Sequence, residues 1–320
     1  MAEPRLAAPD GTATPPDVSV IVCTHNRRER LLRACGALSR QDFPAPQYEV
    51  IVVANGCTDG TIEGMKEFER ATPIAFRWIS EGKLGRSYAL NAGSAAARGQ
   101  ILAFTDDDGE ARPDRLRTLA TSFDDPHVGV AGGPVPVHFP EEVMTDAERV
   151  FLAERFLSSY DKGSRRRDLH GVESPIGCNM AVRAEALHRV GGFSPLLGVV
   201  GTGGGCYEET EVTWRIRDCG YRVTYDPAAI VDHYPDVTRL SRAAIRSRAV
   251  PAGRCRYLAR SRSPVSLQRK CLRTLEVSIE IILRALAWVF VLPFSRARFR
   301  SEIRLRCSLG KLAGVWMPRC

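Results

Sequence analysis

Continuous apolar runs rich in β-branched residues recur along the first third of the chain, at Val18–Thr24, Glu49–Ala54 and Ile101–Thr105. Runs of this kind, without polar alternation, are typical of strands that are buried on both faces of a parallel sheet. Between them, Arg28–Ser39 and Ser87–Arg98 carry apolar or small residues at helical spacing. This alternation predicts an α/β protein whose parallel strands are joined by helical crossovers.

The pattern becomes irregular after the third run. Residues 132–175 begin with a Gly- and Pro-rich segment and contain the charged Ser164–Asp168. We expect an insertion over the sheet edge that is suited to ligand binding. Regular patterning returns at Ile176–Ala184, and Glu209–Cys219 predicts a helix that ends at a glycine.

The most distinctive polar feature is the triplet Asp106-Asp107-Asp108 that directly follows a predicted strand. Adjacent carboxylates repel one another unless a cation compensates them, and oxygen ligands suit Mg²⁺ or Mn²⁺. Asp106 and Asp108 are two residues apart, so they face the same way in an extended segment. The alternative is a solvated acidic turn in which an Asp caps the next helix.

A second acidic group, Glu208-Glu209-Thr210-Glu211, marks a predicted helix start and follows the glycine-rich Gly201–Gly205. A glycine-rich segment suits a mobile loop that closes over a ligand, and a carboxylate beside it is a candidate general base. The alternative is that these acids only stabilise the positive end of the helix dipole.

Polar turns also follow the first two predicted strands and open the second predicted helix. Open sheets of parallel strands bind ligands at the carboxyl ends of the strands, so these turns indicate one binding edge. Each has a structural alternative as an ordinary turn or helix cap. The turn that opens the second predicted helix, Gly82–Arg86, is basic and suits a diphosphate, although it is not a P-loop. The three turns are Thr24–Arg27, Asn55–Thr61 and Gly82–Arg86.

Five segments in this order resemble the family 2 glycosyltransferases. They are VSVIVCTHNR, VVANGCTDGT, GKLGRSYALNAGSAAARGQILAFTDDD, GCNMAVRAEALHRVGGF and YEETEVTWRIRDCGYRVTYDPAAIVDH. The resemblance spans about Val18–Pro235 and implies the GT-A fold, a Rossmann-like, mostly parallel sheet with flanking helices. It also implies an inverting enzyme that moves a sugar from a nucleotide-diphospho-sugar to an acceptor hydroxyl, in cell-envelope polysaccharide, glycolipid or secondary-metabolite glycoside synthesis.

The resemblance gives roles to these polar residues. Glu209 is the implied general base. Asp108 and His233 are the implied ligands of a divalent Mg or Mn ion. The candidate residues for binding the donor are Thr24, His25, Asn26, Arg27, Asn55, Asp59, Gly85, Arg86, Asn91, Asp106 and Asp107.

The sequence departs from the family pattern at three points. Ala54 stands where the family often has an acid, so we expect Asn55 to substitute in contacting the base. The pair Glu208-Glu209 replaces Glu-Asp, which moves the carboxylate by one methylene. No Q-x-x-R-W follows, which argues against a processive polymerase. A nucleotidyltransferase-like enzyme and a non-catalytic membrane-surface binding protein are the alternative functions.

The formal charge of +8 is divided unevenly along the 320 residues. Residues 1–238 hold 26 Lys and Arg against 34 Asp and Glu, whereas residues 239–320 hold 19 against 3. We therefore expect a disordered segment over 1–17, a GT-A catalytic domain over 18–238 and a basic, amphipathic helical tail over 239–320.

The tail has an apolar helix face, Trp288 and flanking arginines, which predict an interfacial helix on an anionic membrane. Its longest uncharged stretch, Ala285–Ser295, is too short to span a bilayer. The alternatives are packing on the catalytic domain or on a second subunit; no nucleic acid is expected. Scattered cysteines and the absence of an apolar leader in Met1–Asp17 predict a cytoplasmic enzyme, peripheral on the inner membrane face, where a lipid-linked acceptor is met.

Overall fold

A computed structural model describes residues 15–139, 157, 159–199, 206–236, 238, 241–261, 266–290 and 295–317. Its centre is an eight-stranded sheet with the order β3-β2-β1-β4-β8-β6-β9-β7. A separate antiparallel pair joins β5 and β10. The strands are β1 (Val18–Thr24), β2 (Tyr48–Asn55), β3 (Ala75–Glu81), β4 (Ile101–Asp106), β5 (Gly109–Ala111), β6 (Val128–Gly132), β7 (Arg167–Asp168), β8 (Met180–Arg183), β9 (Arg222–Tyr225) and β10 (Val231–His233).

Helices cover the sheet and continue into the carboxyl-terminal part of the chain. Two short 3₁₀ turns, Ala45–Gln47 and Gly177–Asn179, precede β2 and β8. The α-helices are Arg28–Leu38, Thr61–Ala71, Arg86–Ala96, Arg115–Ser122, Ala184–Arg189, Glu208–Asp218, Arg242–Arg260, Leu267–Phe290 and Ser295–Val315. We call the last three the first, second and third tail helices.

The α/β fold expected from the sequence is confirmed. β1 pairs in parallel with both β2 and β4, and β2 pairs in parallel with β3, so four carboxyl ends lie at one edge. Almost every residue of β1, β2 and β4 is buried, which explains their continuous apolar composition. β8 lies antiparallel between β4 and β6.

The structure adds elements that the apolar pattern does not predict. The helix Thr61–Ala71 and the strand β3 lie between β2 and the helix Arg86–Ala96. β3 is the edge strand and is only partly buried, so its sequence mixes charged and apolar residues. Within the predicted charged loop Ser164–Asp168, the last two residues form β7, which pairs with β9.

Two tail helices pack against the body of the protein. Cys255 and Leu258 of the first tail helix lie in one apolar cluster with Leu197 and Trp214. Ile303 of the third tail helix shares another cluster with residues from the body and from the first tail helix. In the parts of the chain that the structure describes, every helix is too short or too polar to cross a membrane.

Candidate active site

The carboxyl ends of β1 and β4 meet at a buried cluster of charged side chains. Asp107 is 3 % exposed and accepts hydrogen bonds from Thr24 Oγ1 at 2.8 Å and from Arg27 Nη1 at 2.8 Å. Arg27 Nη1 also lies 3.3 Å from an oxygen of Asp108. Burial raises the pKa of Asp107 to about 6, although Arg27 opposes the effect. Asp107 thus fastens the turn after β1 to the turn after β4, and its contact with a donor stays a prediction.

The antiparallel pair β5–β10 brings His233 to the acidic triplet. His233 pairs with Gly109 in the register, and its Nε2 lies 3.3 Å from Asp108 Oδ1. Its Nδ1 lies 2.7 Å from the carbonyl oxygen of Leu157. A carbonyl oxygen only accepts, so Nδ1 is the donor, and in the neutral ring Nε2 has its lone pair toward the carboxylate. An imidazole nitrogen and a carboxylate oxygen placed in this way are a suitable pair of ligands for a cation.

Arg86 lies between two carboxylates that come from distant parts of the chain. Its Nη1 is 2.5 Å from Asp106 Oδ1, and its Nε is 2.9 Å from Glu208 Oε1. Burial alone would lower the pKa of Arg86, but Asp106 and Glu208 raise it well above its ordinary value. The guanidinium therefore stays charged and joins the turn after β4 to the start of the helix Glu208–Asp218.

Glu208 and Glu209 occupy different environments at that helix start. Glu208 is 2 % exposed, and burial together with the neighbouring Glu209 raises its pKa to about 8, against the effect of Arg86. Glu209 is half-buried, and its Oε2 has no hydrogen-bond partner among the described residues; the same is true of Glu208 Oε2. A Cβ atom added at Gly177 would lie 3.3 Å from Glu209 Cδ and 3.0 Å from Arg86 Nη2. The glycine therefore lets the backbone pack closely against Glu209 and Arg86, where a larger side chain would crowd them.

The turn after β2 uses its polar groups to hold the glycine-rich turn that precedes the helix Arg86–Ala96. Asn55 is buried; its Nδ2 donates to the carbonyl of Lys83 at 2.8 Å, and its Oδ1 accepts from the backbone of Gly85 at 2.8 Å. His25 Nδ1 lies 2.6 Å from the carbonyl oxygen of Asn55. These contacts position Gly85 and Arg86 at the site, while the donor contacts of Asn55 and His25 stay predictions.

Three other candidate residues also make backbone contacts. Asn26 has a positive φ of 53° and accepts from the backbone of the turn after β2 at 2.6 Å. Asp59 accepts from the backbone of Thr61 at 3.2 Å, so it closes a turn directly before the following helix, whose N-cap residue is Gly60. Asn91 both donates to and accepts from the backbone of Phe193, at 2.8 Å each way. Donor binding by these residues stays a prediction.

A buried arginine that the sequence pattern does not identify stabilises the end of the strand that precedes the acidic triplet. Arg115 is 0 % exposed; its Nη2 donates to the carbonyl of Phe104 at 2.7 Å and its Nε to Asn179 Oδ1 at 2.9 Å. Phe104 lies two residues before Asp106, so Arg115 fixes the end of β4. Its only signal in the sequence is a charge on an otherwise apolar helix face.

Two further predictions from the sequence are a metal site and a mobile glycine-rich loop. No group of three or more His, Cys, Asp or Glu side chains forms a metal cage within the described residues. The predicted mobile loop Gly201–Gly205 lies outside the described residues. The described site therefore consists of two candidate cation ligands, a bridging arginine and a pair of adjacent glutamates.

Fold and site together define an α/β protein that gathers carboxylates and basic groups at the carboxyl edge of its parallel strands. The family model for glycosyl transferase family 2 matches residues 19–191, which is more than half of the chain. The chain belongs to this family, and its class of enzyme is glycosyltransferase.

Individual relatives agree with this assignment. The chain is 29 % identical over 214 residues to the glycosyltransferase AglE of Haloferax volcanii, covering 67 % of this chain and 66 % of that one. It is 27 % identical to the glucosyl-dolichyl phosphate glucuronosyltransferase of the same organism, covering 68 % of each chain. The chain therefore spans about two thirds of the length of these relatives.

A solved structure supports the fold. The mannosyltransferase PcManGT from Pyrobaculum calidifontis, in complex with GDP-Man and Mn²⁺, superimposes with a TM-score of 0.60 at 21 % identity. The match covers 98 % of this chain and 91 % of that one. It therefore includes the tail helices as well as the sheet.

Proposed function

We propose that the chain transfers a sugar from a nucleotide-diphospho-sugar to an acceptor hydroxyl, with inversion at the anomeric carbon. The observation that carries this proposal is the environment of Glu209. Its Oε2 has no hydrogen-bond partner among the described residues. A carboxylate in this situation is suited to receive a proton from a hydroxyl that approaches it.

The residues present fit a divalent metal that also takes oxygen ligands from a substrate. Asp108 Oδ1 and His233 Nε2 lie 3.3 Å apart and would supply one carboxylate and one imidazole ligand. Mg²⁺ and Mn²⁺ are commonly held by few protein ligands together with substrate phosphates. When bound there, such a metal neutralises charge on the leaving diphosphate. The Mn²⁺ in the PcManGT complex supports this proposal.

The side chains of this chain would act on the two partners of the reaction in different ways. Glu209 takes the proton of the acceptor hydroxyl while the hydroxyl oxygen forms its bond to the anomeric carbon. The bond from that carbon to the diphosphate oxygen breaks in the same displacement, so the configuration inverts. Arg86 carries a guanidinium at this place, and a guanidinium can hydrogen-bond two phosphate oxygens at once.

The decisive experiment compares Glu209→Gln with the wild-type enzyme on a panel of nucleotide sugars with Mn²⁺ or Mg²⁺. We expect the transfer rate to fall about 10²–10⁴-fold, because a glutamine cannot accept the proton. Donor affinity measured by calorimetry should stay within about twofold, because the substitution changes no predicted donor contact. A loss of donor affinity as large as the loss of rate would contradict the role of Glu209.

A matched control is Glu185→Gln. Glu185 is also an acid in the first turn of a helix, but it is exposed. We expect wild-type transfer from this variant. The product separates the alternatives: glycosyl transfer releases a nucleoside diphosphate from the nucleotide sugar. A nucleotidyltransferase would instead release pyrophosphate from a nucleoside triphosphate supplied with a sugar phosphate, and a non-catalytic binding protein would release neither.

We also propose that the second tail helix rests on an anionic membrane on the cytoplasmic side, where the acceptor is a lipid-linked hydroxyl. The apolar residues on one side of this helix are between 46 % and 80 % exposed. They are Leu267, Leu272, Leu275, Ile279, Ile282, Leu283, Leu286, Val289 and Phe290. We call them the apolar tail face. Its other side packs on the third tail helix, where Glu280 pairs with Lys311 at 2.7 Å and Val277 is buried.

Charge near the apolar tail face supports an anionic surface as its partner. Arg269 and Arg273 are exposed at the start of the same helix, and the basic third tail helix packs beside it. An exposed apolar stripe with flanking arginines is the arrangement of a helix that lies in a membrane interface. The name of the glucosyl-dolichyl phosphate glucuronosyltransferase, a relative of this chain, supports a lipid-phosphate acceptor class.

A further inference from the structure

The residue before the implied base helix has an unusual backbone conformation. Tyr207 has φ 79° and ψ 3°, in the left-handed region that residues with a Cβ atom rarely adopt. Its carbonyl oxygen accepts from the backbone of Glu211 at 2.8 Å, which closes the first turn of the helix Glu208–Asp218. The backbone conformation of Tyr207 therefore determines where the helix starts and so where Glu208 and Glu209 lie. Because this conformation is unfavourable, the surrounding structure has to stabilise it.

The restraint on Tyr207 comes from the first tail helix. Arg256 Nε donates to the phenolic oxygen of Tyr207 at 2.6 Å, and the guanidinium carbon lies 5.7 Å from the centre of its ring. The ring also packs against the apolar cluster that contains Leu197 and Cys255. A hydrogen bond, a cation–π contact and apolar packing thus act on one side chain.

The first tail helix is itself fixed by close backbone contact with the third. A Cβ atom added at Gly253 would lie 1.9 Å from the carbonyl oxygen of Cys307, so these backbones touch. Arg246 of the first tail helix also pairs with Glu302 of the third at 2.9 Å. Arg256 is therefore presented to Tyr207 by a packed pair of helices.

We propose that Arg256 and Tyr207 are positioning residues, which hold the start of the helix Glu208–Asp218 in the geometry that turnover needs. The tail then contributes to catalysis as well as to membrane contact. The inference rests on the proposed role of Glu209 as the general base. It adds that Glu209 can act only when Arg256 and Tyr207 hold it in position. A small misplacement of a general base lowers the rate strongly while leaving donor contacts in place.

The test uses the full chain, without membranes, and measures nucleoside diphosphate released from the preferred nucleotide sugar with water as acceptor. For Arg256→Ala we expect kcat to fall at least about tenfold while KM for the donor stays within about twofold. Arg256→Lys keeps a cation over the ring and should recover part of kcat. The control Arg269→Ala removes an exposed tail arginine that makes no contact with Tyr207 and should keep wild-type kcat.

A second readout does not depend on activity. Hydrogen exchange at the backbone amides of residues 209–212 should be faster in Arg256→Ala than in the wild type, because the first helical turn is less restrained. If Arg256→Ala does not fold, Tyr207→Phe replaces it, since it keeps the ring and removes only the acceptor oxygen. A folded variant with more than half of the wild-type kcat and unchanged exchange would overturn the inference. If the wild type releases nucleotide neither to water nor to any hydroxyl acceptor supplied, the proposed function fails, and the exchange experiment still tests whether Arg256 restrains the start of the helix.

Discussion

At the scale of single residues, one guanidinium compensates several carboxylates at the site. Arg86 contacts Asp106 and Glu208, and Glu209 adds to the negative potential around it. The charge of the buried Glu208 is disfavoured, because burial and the neighbouring carboxyl group of Glu209 both raise its pKa. The position of the acids after β4 and at a helix start is predictable from the sequence. Their sharing of Arg86 is not, since it depends on packing between distant segments.

This arrangement predicts a pH dependence of stability. The pKa of Glu208 is raised in the folded protein to about 8, from the ordinary value of 4.5, so the folded state holds a proton that the unfolded state has lost. The contribution of this group to the unfolding free energy is therefore present below pH 4.5 and is lost as the pH rises toward 8. One pKa unit of difference corresponds to about 1.4 kcal/mol.

Glu208→Gln tests this prediction, because glutamine resembles the protonated acid at every pH. Denaturant unfolding of both proteins between pH 5 and pH 9 should show the variant gaining stability relative to the wild type as the pH rises. A difference that is constant, or that changes in the opposite direction, would refute the raised pKa.

At the scale of elements, the tail helices illustrate how small residues set helix packing. Gly253 and Gly310 lie where the first and third tail helices touch, and an added Cβ at either would be 1.9 Å from a carbonyl oxygen of the other helix. Helical periodicity is visible in the sequence, but the identity of the packing partner is not, because several apolar surfaces could cover the same residues.

Gly253→Ala should therefore destabilise the protein by about 1–3 kcal/mol, because backbone atoms cannot move away as a flexible side chain can. Gly36→Ala is the matched control. A Cβ at Gly36, in the helix Arg28–Leu38, would meet only the end of the Arg40 side chain at 3.3 Å. We expect this control to be neutral or stabilising by about 0.5–1 kcal/mol, since alanine favours the helix. Equal unfolding midpoints in urea for the two variants would contradict the packing.

At the scale of the whole molecule, charge and apolar exposure are segregated. The acidic body holds the site, and the basic tail exposes the apolar tail face while its other surfaces pack inward. The tail is therefore attached to the body and also keeps one face available for a partner. The two interpretations from the sequence, membrane contact and packing on the body, are compatible because the first and third tail helices pack on the body, whereas the second exposes the apolar tail face.

Membrane contact through the apolar tail face predicts that Ile282→Glu weakens binding to vesicles that contain anionic lipid. We expect the partition coefficient to fall at least about tenfold, because a charge is placed in the apolar region of the interface. Val172→Glu adds the same charge at an exposed apolar residue of the body and should bind as the wild type does. Co-sedimentation with vesicles measures both; equal binding by the two variants would remove the membrane from the proposed role of the tail.

The sequence by itself determined the α/β class, the buried parallel strands and the edge at which the polar residues gather. It did so because burial leaves a local apolar pattern, and because parallel strands place their carboxyl ends together. Only the tertiary structure decided that the side chains of Asn55 and Asn91 hydrogen-bond to backbone groups of other segments. It also decided that Arg86 joins Asp106 to Glu208 and that Arg256 restrains Tyr207. Those contacts join residues far apart in the chain, so packing geometry sets them and local sequence does not.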